Sequence, residues 1–118
     1  MSVHWIEYQN KKILFVDYYG LDGDKLIQTL HEALRIVTLT PGKTLILYNF
    51  KGTSVNQNFM NEAKATSKPD GESQVEKAAI IGIDPLKALL LNGYNRVTGQ
   101  KIKSFKSEDD AKEWLIQP

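Results

Sequence analysis

The chain contains no cysteine, which removes disulfide staples, thiol nucleophiles and cysteine-ligated zinc. Its two histidines, His4 and His31, fall on a candidate edge strand and a candidate helix with no second histidine at ligand spacing, so no metal site is expected. Long apolar runs are missing as well. Each stops at a charge or a glycine after a few residues, and Met1-Ser2-Val3-His4-Trp5 has no basic region leading into an apolar core, which argues against a membrane span and a signal peptide. An excess of one charge is also absent. Fifteen Lys and Arg stand against 14 Asp and Glu, interspersed, for a net charge of +1. No nucleic-acid footprint and no acidic tail follow from that balance. The expectation is a cytoplasmic protein without cofactor, and 118 residues suffice for one domain over 1–118.

What is present centres on Thr44-Leu45-Ile46-Leu47-Tyr48-Asn49-Phe50. This short run, rich in β-branched and aromatic residues and enclosed by Pro41-Gly42 and Gly52, predicts a strand buried on both faces. Ser54 and Gln57 have the spacing of a capping box, and Phe59, Met60 and Ala63 follow at helical period, so a helix start is expected near Val55. Upstream, His4 to Tyr8 and Lys11 to Tyr19 predict an antiparallel hairpin turning at Gln9-Asn10, with the first strand at an edge. Leu26, Ile27, Leu30, Ala33, Leu34 and Val37 recur at the period of an amphipathic helix, with aspartates before it as candidate caps.

Downstream, Thr66 to Gln74 is rich in turn formers and is expected to be a mobile loop. Lys77 to Ile83 predicts a second inner strand, parallel to the first. Asp84-Pro85 supplies a cap and a first-turn proline for a helix whose buried face is expected at Leu86, Leu89, Leu90 and Tyr94, ending at Gly99. Ile102 to Phe105 is a short last strand. Ser107 then caps a helix with Glu108, Asp109 and Asp110 in its first turn and with Ala111, Trp114 and Leu115 packing; Trp114 is expected to be substantially buried. The order ββαβαβαβα predicts an α/β fold with a mostly parallel sheet and one antiparallel edge strand.

Lys77-Ala-Ala-Ile-Ile-Gly82, Phe105-Lys-Ser107, Ala111-Lys-Glu-Trp114-Leu115, and Lys11 to Tyr19 followed by Gly20-Leu21 resemble small bacterial proteins of the SpoIIAA-like, or STAS, superfamily. The resemblance implies a β/α superhelix shared by anti-sigma-factor antagonists, the STAS domains of anion transporters and, more distantly, CRAL-TRIO lipid carriers. In the antagonists, a serine preceded by aspartate at the start of the helix after the central strand is phosphorylated. Here the matching residues are Gly52-Thr53-Ser54-Val55, with no aspartate before the serine.

Ligands of open α/β sheets bind beyond the carboxyl ends of the strands. The residues there include Asp17, Tyr18 and Tyr19; Asn49, Lys51, Thr53 and Ser54; Asp84; and Lys106 and Ser107. Asp17, Asn49, Lys51, Thr53, Ser54 and Ser107 are the candidates for phosphorylation, partner contact or anion binding, since helix starts attract anions. Such serines are also ordinary helix caps, and such lysines are ordinarily solvated. A Ser54, His31 and Asp17 triad lacks a Gly-x-Ser-x-Gly elbow, so no enzyme is expected. The leading expectation is a STAS-like regulatory module that meets a protein partner, or a second copy, around Thr53 and Ser54. The alternative is a carrier or sensor of a small amphipathic, anionic or lipid-like ligand. A cavity near Phe59, Met60, Leu89 and Leu90 would favour the carrier, and a solid core there the module.

Overall fold

A computed structural model describes residues 2–67 and 74–118. Residues 68–73 of the loop expected between Thr66 and Gln74 lie outside the described residues. Strand β1 (Val3–Tyr8) pairs antiparallel with β2 (Lys11–Asp17), from Val3 opposite Val16 to Tyr8 opposite Lys11. Gln9 and Asn10 both have positive φ, 47° and 68°, which makes their turn the mirror-image type whose twist suits a two-residue hairpin. Helix α1 (Gly23–Leu39) follows, then β3 (Thr44–Asn49), α2 (Gln57–Thr66), β4 (Val75–Ile81), α3 (Pro85–Thr98), β5 (Lys103–Phe105) and α4 (Glu108–Ile116). The β3 and β4 pair is parallel, as the sequence predicts, and the five strands lie in chain order with β1 at one edge and β5 at the other.

Chain order decides where the helices go. Each crossover moves one strand along in the same direction, so right-handed connections carry α1, α2 and α3 to one face of the sheet. That face buries Leu14, Val16, Ile46 and Ile80 against Leu26, Ala33 and Val37 of α1 and Phe59 and Ala63 of α2. The alternate residues Ile13, Leu45, Leu47, Ala79 and Ile81 point the other way and are covered by Ala111 and Leu115 of α4. Helix α4 has no basic residue in its last turn, and the sheet supplies the positive charge instead. Lys77 Nζ donates to the carbonyls of Trp114 (3.0 Å) and Gln117 (2.7 Å), and Lys11 Nζ to that of Ile116 (3.1 Å), at the negative end of the helix dipole.

Two expectations need correction. Helix α2 is capped by Asn56, whose Oδ1 accepts from the Phe59 N–H at 2.8 Å, and not by Ser54, which is exposed in the extended segment before it. The shift arises because Thr53 is pinned to the end of β2 and the chain must travel to Asn56 before it can coil. Replacing Asn56 with Ala should therefore cost about 1 kcal/mol in a urea titration, whereas Ser54→Ala should cost less than about 0.5 kcal/mol. In α3, Leu86 and Leu89 are both 69% exposed, and the inward face is instead Lys87, Leu90, Leu91 and Tyr94. Trp114 has most of its surface buried, as expected, packed against the second cluster at the margin of α4 over the short edge strand β5.

Candidate functional site

Most of the candidate residues at the strand ends use their polar atoms to build turns. Asp17 Oδ1 accepts from Asn49 Nδ2 (3.1 Å) and from the Tyr19 N–H (3.0 Å), while Asn49 Oδ1 accepts from the Lys51 N–H (3.0 Å). Thr53 is buried and its hydroxyl donates to the Tyr18 carbonyl. Ser107 Oγ accepts from the Asp110 N–H (3.1 Å) as the cap of α4, whose residues pack on the opposite face of the sheet. Of the six candidates, Lys51 and Ser54 present exposed side chains that take no part in these turns, and Ser54 begins no helix. The structure does not gather the six into one anion site.

It does form a half-open cavity that the sequence located only in part. Between the sheet and the three helices on its face lies an apolar space of about 90 Å³, open on one side. Its floor is Tyr48, Phe50 and Ile80, alternate residues of the inner strands, with Tyr18 from the end of β2. Leu30 of α1 and Phe59, Met60 and Ala63 of α2 form one wall, and Lys87, Leu90, Leu91 and Tyr94 of α3 form the roof. Tyr18 anchors an aromatic cluster on this floor, stacked on Phe50 with centroids 4.5 Å apart and edge-on to Phe59 at 5.4 Å. No residue of α3 is fully buried, so the roof is the most loosely held wall.

The polar groups of the cavity are few and of one kind. Burial raises the ionisation of Tyr18 well above the ordinary phenol range, with Tyr48 and Tyr94 close enough to add to it. Burial likewise pushes Tyr48 up, and it raises Tyr94, where the Thr98 hydroxyl offsets part of the effect. All three phenols therefore stay protonated in the physiological range and can donate a hydrogen bond. Among the described residues, neither the Tyr18 nor the Tyr48 hydroxyl has a hydrogen-bond partner, and the one sealed side-chain polar atom without a partner is Thr44 Oγ1. The two hydroxyls are thus not sealed, and both residues line the cavity. The cation at the rim is already engaged: Lys87 Nζ donates to the carbonyls of Phe50 (2.9 Å) and Gly82 (3.4 Å) and lies 3.9 Å from Asp84 Oδ2, with its side chain only 13% exposed.

Sequence reasoning placed Phe59, Met60 and Leu90 at this position and Tyr94 on the inward face of α3, but it also placed Leu89 here, which is exposed, and it missed Tyr48 and Lys87. The period-2 signal of Ile46, Tyr48 and Phe50 could have put Tyr48 on the same face as Phe50. Lys87 gives no such signal, because a lysine in a helix ordinarily reads as a solvent-facing position. Among the described residues, no group of three His, Asp or Glu side chains could hold a metal ion, and no helix is long and apolar enough to cross a membrane. Comparison with family models, curated proteins and solved structures gives no match.

Proposed function

We propose that this protein binds a small, largely apolar molecule between its sheet and α3, as a cytoplasmic carrier or sensor. The observation that carries this reading is the half-open cavity lined by Tyr18, Tyr48, Phe59, Leu90 and Leu91. A domain core is normally packed to the density of an organic crystal, and space left in it goes without favourable contacts. Here that space lies under a helix with no fully buried residue, so an occupant would supply contacts the protein lacks. The volume is below the roughly 150 Å³ of an apolar cavity that admits benzene, so the enclosed part of a ligand is a small ring or a short chain, with the remainder at the mouth. A SpoIIAA-like relationship belongs to the same proposal, supported by the quoted residues and the element order.

The test is a titration with benzene followed by ¹³C-methyl NMR. Shifts confined to Met60, Leu90, Leu91 and Ile83, and lost in Ala63→Leu, are the expected result. Methyl shifts spread over the surface, or none at saturating benzene with wild type, would remove the basis of the reading.

A further inference from the structure

Resting on the reading of the cavity as a ligand site, we infer that its ligand is an uncharged molecule with a carbonyl oxygen, such as a ketone, quinone or amide, held by the hydroxyls of Tyr18 and Tyr48. The two rings lie side by side, with centroids 6.4 Å apart and planes inclined by 25°, and both line the cavity. Tyr18 is only 1% exposed as a residue and Tyr48 is half-buried, yet neither hydroxyl is sealed and neither makes a hydrogen bond among the described residues, so each has one to offer a ligand. A carbonyl oxygen has two lone pairs and can accept from both phenols at once, which neither a hydrocarbon nor an ammonium can do.

The charge on the ligand follows from what surrounds it. A carboxylate would have to leave water for an apolar space, and that cost is large unless a cation meets it there. Lys87 is the cation that lines the cavity, and its ammonium is held by two backbone carbonyls with Asp84 beside them. Drawing it inward would strip the Phe50 and Gly82 carbonyls of their donor. The raised ionisation of both phenols keeps their protons in place, so they act as neutral donors to a neutral acceptor. A site built to hydrogen-bond a substrate group rejects the analogue without it, because its own polar groups are then left unpaired.

The experiment compares three probes built on one six-membered carbon ring, cyclohexanone, cyclohexane and cyclohexanecarboxylate, by methyl shifts in the full chain at pH 7. Cyclohexanone should bind about tenfold or more tightly than the other two, and Tyr48→Phe should reduce its affinity about tenfold while leaving cyclohexane unchanged. Tyr18→Phe should do the same, with Tyr48→Phe as the independent arm should Tyr18→Phe disturb the aromatic cluster. Equal binding of cyclohexanone and cyclohexane, insensitive to either substitution, would overturn the carbonyl assignment and leave the cavity reading standing. Tighter binding of the carboxylate would overturn the neutral-ligand assignment. Failure of all three probes to bind would dismiss both the inference and the site on which it rests.

Discussion

Gly82→Ala should be the most damaging small substitution in the protein, lowering stability by about 3 kcal/mol or more, since a left-handed backbone costs about 1–2 kcal/mol without glycine and overpacking about 1–3 kcal/mol. Gly82 has φ +83°, and a methyl group there would lie 2.3 Å from Lys51 N and 2.7 Å from Lys51 Cα. Both are backbone atoms of the segment leaving β3, where Phe50 N donates to Ile81 O at 2.9 Å, so neither side can withdraw without breaking the sheet's upper edge. The damage should also reach the cavity, because Gly82 O and Phe50 O are the carbonyls that hold Lys87. Urea titration of the variant is the check. A loss below 1 kcal/mol would mean that the two backbone segments are not in contact as described.

Trp114→Ala should have the second largest effect, about 3 kcal/mol, at the lower end of the range for truncating a large aromatic. Burial alone would give less, because the residue is not fully buried. Its surroundings make up the difference. The indole is tilted against Phe105 at 5.5 Å, and the ammonium groups of Lys77 and Lys103 lie 4.9 Å and 5.5 Å from its centroid. Helix α4 has only nine residues, too few to hold its conformation without docking, and it covers the second apolar cluster. Loosening Trp114 therefore exposes Leu47 and Ile81 as well. A denaturant midpoint unchanged from wild type would show that α4 is held by Ala111 and Leu115 alone.

The element order was legible in the chain because each boundary carries local chemistry. Asp84-Pro85, Ser107 and Gly99 act where they stand: Asp84 Oδ1 accepts from the Lys87 N–H (2.8 Å), Ser107 caps α4, and Gly99 ends α3 with φ +77°. The parallel inner pair and the antiparallel edge strand followed from a hairpin and then alternation of strand and helix. What was not legible depends on tertiary contacts. Ser54 has the spacing of a cap, but the bond from the Thr53 hydroxyl to the Tyr18 carbonyl, 35 residues away in the chain, moves the start of α2 to Asn56. Leu86, Leu89, Leu90 and Leu91 make α3 apolar on more than one side, so its periodicity does not say which side faces the sheet. Three lysine ammonium groups on backbone carbonyls, those of Lys11, Lys77 and Lys87, depend on pairings that no local pattern encodes.

Those tertiary contacts also engage the polar groups around the turn at Ser54. The polar atoms of Asp17, Asn49 and Thr53 stabilise the strand ends, while among the described residues the hydroxyls of Tyr18 and Tyr48, two residues that line the cavity, have no partner. Side chains already engaged in the fold have little to offer a ligand, and unpartnered ones have a hydrogen bond to gain. The claim that this space is a binding site is tested most directly by native mass spectrometry of wild type and Ala63→Leu purified from the protein's own host. The account predicts a small-molecule adduct on wild type that is released on collisional heating and is missing from the cavity-filled variant. A wild-type mass equal to that of the bare chain, or the same adduct on both proteins, would contradict it.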